Sequence, residues 1–116
     1  MSMLAQDLRQ SPRVRVARMR IGLPLTDVTL EGNVSCGGVG FEIASAHRLH
    51  IGDPITISLM VPELAEPLAL SGTVRHVQHR ALAGRQYVGA RFDVSDPLLM
   101  NPLDRFVEET ALIERH

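Results

Sequence analysis

The stretch Ile55-Thr56-Ile57-Ser58-Leu59-Met60-Val61 puts Ile55, Ile57, Leu59 and Val61 on one side of the chain and Thr56 and Ser58 on the other. A period of two belongs to a strand with one buried face, and the proline that follows at position 62 has no N–H to continue a ladder. This predicts a strand over 55–61. Upstream, Gly52-Asp53-Pro54 reads as a turn at the end of a loop over 47–53. Before that loop, 39–44 carries Phe41 and Ile43, and 26–35 alternates Val28, Leu30 and Gly32 before the break at Cys36-Gly37-Gly38. The first segment, 14–25, sets Val14, Val16, Met19 and Ile21 among arginines, with one slip of the alternation near Ala17. Downstream, 68–79 and 86–94 are joined by a turn at Ala83-Gly84. Six short strands with tight connections in about eighty residues predict an all-β fold, a small six-stranded antiparallel β-barrel.

The period changes at the C-terminus. Asn101-Pro102-Leu103-Asp104 has the form of a helix start, with Asn as cap and Pro at the first helical position. Leu103, Phe106, Val107 and Thr110 then share a face, which predicts a C-terminal helix over 102–114 packed on the barrel.

With 116 residues, 45% apolar and 22% charged, the chain has the size and composition of one globular domain. We divide it into a flexible arginine segment over 1–13 and a barrel with its helix over 14–116. Cys36 is its one cysteine, so no intrachain disulfide is available and a reducing compartment is the simpler setting. No apolar run approaches the roughly 18 residues of a spanning helix, and residues 1–10 lack the apolar stretch of a signal peptide. A cytoplasmic location without membrane insertion is expected.

The net charge of −1 conceals an asymmetry. All 12 basic residues are arginine, and Arg9, Arg13, Arg15, Arg18 and Arg20 fall in the first 20 residues against the single acid Asp7, so that segment is +4 and the remainder −5. A cationic end on an acidic body points to an anionic partner met at one place. Within it, Arg9-Gln-Ser-Pro-Arg13 holds two arginines four apart, with Pro12 keeping the chain extended. At the turn between the second and third strands stands Asn33-Val34-Ser35-Cys36-Gly37-Gly38. Alternation brings the Asn33 amide and the Ser35 hydroxyl out on one strand face, and the glycines allow unusual backbone angles and close approach of a ligand. Guanidinium groups that fork onto phosphate and stack on a ring, an amide and hydroxyl at a base edge, and glycine amides together suit an anionic, base-containing ligand. Arg15, Arg18 and Arg20 are expected on the outer face of the first strand.

At these residues the chain resembles the PilZ family, whose paired pattern RxxxR and (D/N)xSxxG is matched, in order, by Arg9 to Arg13 and Asn33 to Gly38. Gly89-Ala90-Arg91-Phe92 in a late strand and the C-terminal helix are weaker landmarks of the same kind, and the resemblance spans about residues 8–112. It implies a PilZ-type barrel that binds the bacterial second messenger cyclic di-GMP. By position it implies that Arg9 and Arg13 clamp phosphate and stack on guanine, that Asn33 and Ser35 contact guanine, and that Gly37 and Gly38 keep the turn open. Leu8 stands where many members carry a basic residue, which leaves open whether one nucleotide or a stacked pair binds.

The expected role is a stand-alone receptor, monomer or weak homodimer, that closes its arginine segment over the nucleotide and signals to an unidentified downstream protein, in control of motility or exopolysaccharide. The alternative is a degenerate PilZ module acting only by protein contact. A single-stranded nucleic-acid binder would need aromatic platforms, whereas this chain has only Phe41, Tyr87, Phe92 and Phe106, so neither DNA nor RNA is expected as partner. No catalysis, cofactor or metal is expected either. His76 and His79 fall on opposite faces of a regular strand, and His47 and His50 have no ligand partners at suitable spacing. Ser35 lacks a nucleophile elbow, and Gly37-Gly38-Val39-Gly40 has the wrong spacing for a phosphate loop. Cys36 is read as a small space-filling residue.

Overall fold

The computed structural model describes residues 12–61, 64–80, 84–93 and 97–114. Its strands are β1 (Val14–Gly22), β2 (Asp27–Val34), β3 (Gly38–Ala44), β4 (Pro54–Leu59), β5 (Leu68–Arg80) and β6 (Arg85–Phe92). A short 3₁₀ turn, Ser45–His47, follows β3, and the helix α1 (Pro97–Glu114) ends the described chain. The six strands close into one antiparallel barrel in the order β1-β2-β3-β6-β5-β4. The seam is β1 against β4, where Arg20 faces Ser58, Ile21 faces Ile57 and Gly22 faces Thr56. Closure leaves no free sheet edge to pair with another chain.

The alternation read from the sequence is the inside–outside alternation of the barrel wall. Ile55, Ile57 and Leu59 of β4 are buried, with Met19 and Ile21 of β1, Phe41 of β3, Leu70 and Val74 of β5, and Val88 of β6. The slip near Ala17 is real: the β1–β2 register shifts between Val16 and Met19. A bulge keeps the apolar side chains inward while the strand bends round the barrel. A second shift lies between Val74 and His76 in β5, marked in the sequence by the odd spacing from Val74 to Val77. Backbone freedom is needed at the turns, where Gly52 has φ +97° and Gly84 φ +62°.

The helix packs by Leu103 and Val107, both fully buried, while Phe106 and Ala111 pack partly against the core. It starts five residues earlier than Asn101-Pro102 predicts. Pro97 takes the first helical position, where the missing N–H has no intrahelical partner to lose. Pro102 then lies inside the helix, where its ring removes one hydrogen bond, and burial of Leu103 and Val107 offsets that loss. Asn101 is therefore an exposed residue within the helix, not its cap. Of the expected 1–13 segment, only Pro12 and Arg13 fall among the described residues. No helix among the described residues is long and apolar enough to cross a membrane.

Candidate functional site

The outer face of the wall made by β2, β3, β6 and β5 is laid out by register. One row runs Asn33, Gly40, Gly89, His76, each facing the next across a strand pair, with Arg15 facing Asn33 from β1. The next runs Gly38, Arg91, Thr73. Glycines at outward positions of two neighbouring strands, Gly38 and Gly89, carry no side chain into the recess, and the side chains around them form walls. The result is a cavity of about 650 Å³ bordered by Arg13, Ser35, Gly37, Gly38, Gly89, Arg75, His76, Tyr87 and Arg91. A second hollow of about 380 Å³ adjoins it, bordered by Arg15, Glu31, Asn33, Glu42, Arg80 and Arg85, and Tyr87 borders both.

Tyr87 owes its position to Gly40, since a Cβ on Gly40 would collide with the tyrosine hydroxyl. The His76 ring meets it edge-on, with centroids 6.1 Å apart and planes at 63°. The Arg80 guanidinium lies 6.0 Å from the ring centroid, at the outer limit of a cation–π contact.

The charges divide in the same way. Arg15 pairs with Glu31 at 2.7 Å and Arg20 with Asp27 at 3.1 Å. Arg80 and Arg85 share Glu42 at 3.7 and 3.5 Å. Arg13, Arg75 and Arg91 have no ion pair among the described residues, and all three border the larger cavity, which has no acid in its described lining. Three uncompensated guanidiniums around one recess attract an anion, and arginine presents a planar fork that matches phosphate oxygens.

Of the residues read from the sequence, Arg13, Ser35, Gly37 and Gly38 border this cavity. Asn33 emerges on the same face but borders the second hollow, half-buried, its amide unbonded among the described residues. Arg9 lies outside the described residues. The Ser35 hydroxyl is engaged within its own turn, accepting from the Gly37 N–H at 3.3 Å and lying 3.4 Å from the Gly38 carbonyl oxygen. Both contacts are long and readily exchanged for a ligand. Cys36 packs partly buried against the core, the space-filling role expected of it.

The two motif glycines are not equivalent. A Cβ on Gly38 would strike the backbone carbonyl oxygen of Ala90 and crowd Arg91 Cα at 3.2 Å, whereas one on Gly37 would meet nothing within 4 Å. Neither has a positive φ. The close approach of β6 is by itself a sufficient reason for glycine at position 38. The cavity also contains residues that the motifs did not announce: Arg75, His76, Tyr87 and Arg91. Tyr87, Gly89 and Arg91 stand two apart on β6, a signal the sequence contained. Arg75 and His76 both turn outward at the β5 bulge, which the odd spacing from Val74 to Val77 marks in the sequence.

The described residues form a closed six-stranded barrel with a cationic recess on its outer wall, whose described lining holds no acid. The match of the PilZ domain family to residues 7–109 makes the chain a member of that family, a family of binding modules. No curated protein matches it. Among solved structures it is similar to the Bacillus subtilis inhibitor of motility, MotI/DgrA, with TM-score 0.70 and 15% identity over 90% of this chain and 52% of that one. It is also similar to a tetrameric PilZ-domain protein of Xanthomonas campestris that self-assembles through a helical bundle, with TM-score 0.55 and 20% identity over 97% and 57% of the two chains. A third similarity is to the PilZ domain of CeSA from a cellulose-synthesizing bacterium, with TM-score 0.50 and 16% identity over 89% and 99%. The chain thus spans about half the length of the first two, and at these identities the likeness is one of fold.

Proposed function

We propose that this chain is a non-catalytic receptor for cyclic di-GMP. The observation that carries the reading is that Arg13, Ser35, Gly37 and Gly38, drawn from two separate motifs, border a single cavity whose described lining includes no acid. In the proposed complex Arg13, joined by Arg9 from the preceding segment, forks onto phosphate and stacks on guanine. Asn33 and Ser35 offer donor and acceptor groups to the guanine edge. The exposed Gly37 amide and the open floor at Gly38 and Gly89 admit the ring system. Closure of the arginine segment over the ligand creates the surface that a downstream protein reads. The Bacillus subtilis neighbour is an inhibitor of motility and the CeSA domain comes from a cellulose-synthesizing bacterium. Control of motility or exopolysaccharide is accordingly the output we propose.

Calorimetric titration with cyclic di-GMP tests the receptor role. Wild type is expected to bind. Arg13→Ala is expected to lose at least about tenfold in affinity, the worth of one charge-assisted hydrogen-bond pair, with an unchanged melting temperature because Arg13 is exposed and unpaired among the described residues. Absence of binding by wild type would favour the alternative of a module acting through protein contact alone.

A further inference from the structure

We propose that Arg75 and Arg91 form a second anion-binding pair, outside the paired RxxxR and (D/N)xSxxG pattern, that holds phosphate of the ligand in the recess. The inference rests on the receptor reading and extends it to residues outside the paired arginine and Asn-Ser-Gly pattern.

The pair is built by the sheet. Arg91 on β6 faces Gly38 on one side and Thr73 on the other. On β5 the register shift between Val74 and His76 makes Arg75 the extra residue of a bulge, exposed beside Arg91. Bulges re-aim side chains in this way, and a regular strand would have turned His76 inward.

Charge identifies the ligand class. Arg75 and Arg91 border both the main cavity and an adjoining hollow of about 430 Å³, and neither has an ion pair among the described residues. Asp93, which borders the smaller hollow, accepts a hydrogen bond from Thr73 Oγ1 at 2.8 Å and has no ion pair with either arginine. Elsewhere on the barrel, arginines are matched by Glu31, Asp27 and Glu42. Two adjacent unmatched guanidiniums repel each other until an anion enters between them. Arg13, which precedes β1, borders the same cavity as Arg75 and Arg91, so one phosphate-bearing ligand seated there can engage the motif arginine and the pair together.

The test compares Arg75→Gln/Arg91→Gln with Arg20→Gln/Arg48→Gln, which removes the same charge from the surface outside the recess. Each is titrated calorimetrically with cyclic di-GMP, with a thermal melt to verify folding and the single variants Arg75→Gln and Arg91→Gln alongside. The inference expects the first double variant to lose at least about tenfold in affinity and to show a shallower dependence on salt. The control is expected to stay within about twofold of wild type, as screened distant charges should. If wild type binds and the two double variants behave alike, the second pair is refuted and the receptor reading stands. If wild type does not bind, both fall together.

Discussion

Replacing Gly38 and Gly37 separately by alanine tests what the motif glycines are for. At Gly38 the added methyl meets backbone on three counts: the Ala90 carbonyl oxygen, the Ala90 carbonyl carbon at 3.1 Å and Arg91 Cα at 3.2 Å. No side chain can rotate away, so β3 and β6 must separate where Gly38 faces Arg91 and Val39 faces Ala90. Val39 and Ala90 are buried, and a local separation also loosens their packing. Overpacking of this kind costs about 1–3 kcal/mol, less the roughly 0.4–1 kcal/mol that alanine gains by restricting the unfolded chain. At Gly37 only the second effect operates, because the site is open and its φ is ordinary. The two variants should therefore differ by about 2 kcal/mol, with Gly37→Ala at or slightly above wild type. For a chain of this size that is roughly 8 °C in Tm. Calorimetric melting or urea titration measures it. If Gly38→Ala melts with wild type, or if Gly37→Ala falls as far as Gly38→Ala, the close approach of β6 is not the reason for glycine at position 38.

Ile57→Ala should cost about 2–5 kcal/mol in a urea titration, because Ile57 is wholly buried at the seam that closes β4 onto β1. Glu42→Gln should change stability by no more than about 1 kcal/mol in the same assay, since its pairs with Arg80 and Arg85 are long and nearly half-exposed. Tyr87 is the one tyrosine in a chain without tryptophan, so intrinsic emission reports on the recess alone. Cyclic di-GMP should change that emission after inner-filter correction, and an unchanged signal at saturation would place the ligand away from Tyr87.

Much of the wall was legible because side-chain parity is a local property. Ile55, Ile57 and Leu59 could be assigned inward without knowing their neighbours, and the break in parity near Ala17 located the first bulge. Helix position was less legible. Asn101-Pro102 is a good start signal, yet burial of Leu103 and Val107 sustains a helix that begins at Pro97 and runs through Pro102. Arg13, Ser35, Gly37 and Gly38 were found from their motifs. Arg91 could have been found from its spacing to Tyr87 and Gly89. Arg75 could have been found too, since the odd spacing from Val74 to Val77 reverses parity as the slip near Ala17 does.

By itself, then, the sequence determined the strands, the inward set of each, the helix face and the two motifs, because each depends on residues a few positions apart. Tertiary structure alone decided that β3 lies beside β6, and that adjacency joins Gly38 to Arg91 and Gly40 to Gly89. It opened the recess, sorted the arginines into paired and unpaired, and gave Gly37 and Gly38 different roles. Those outcomes depend on contacts between segments about fifty residues apart, which form only when the barrel closes.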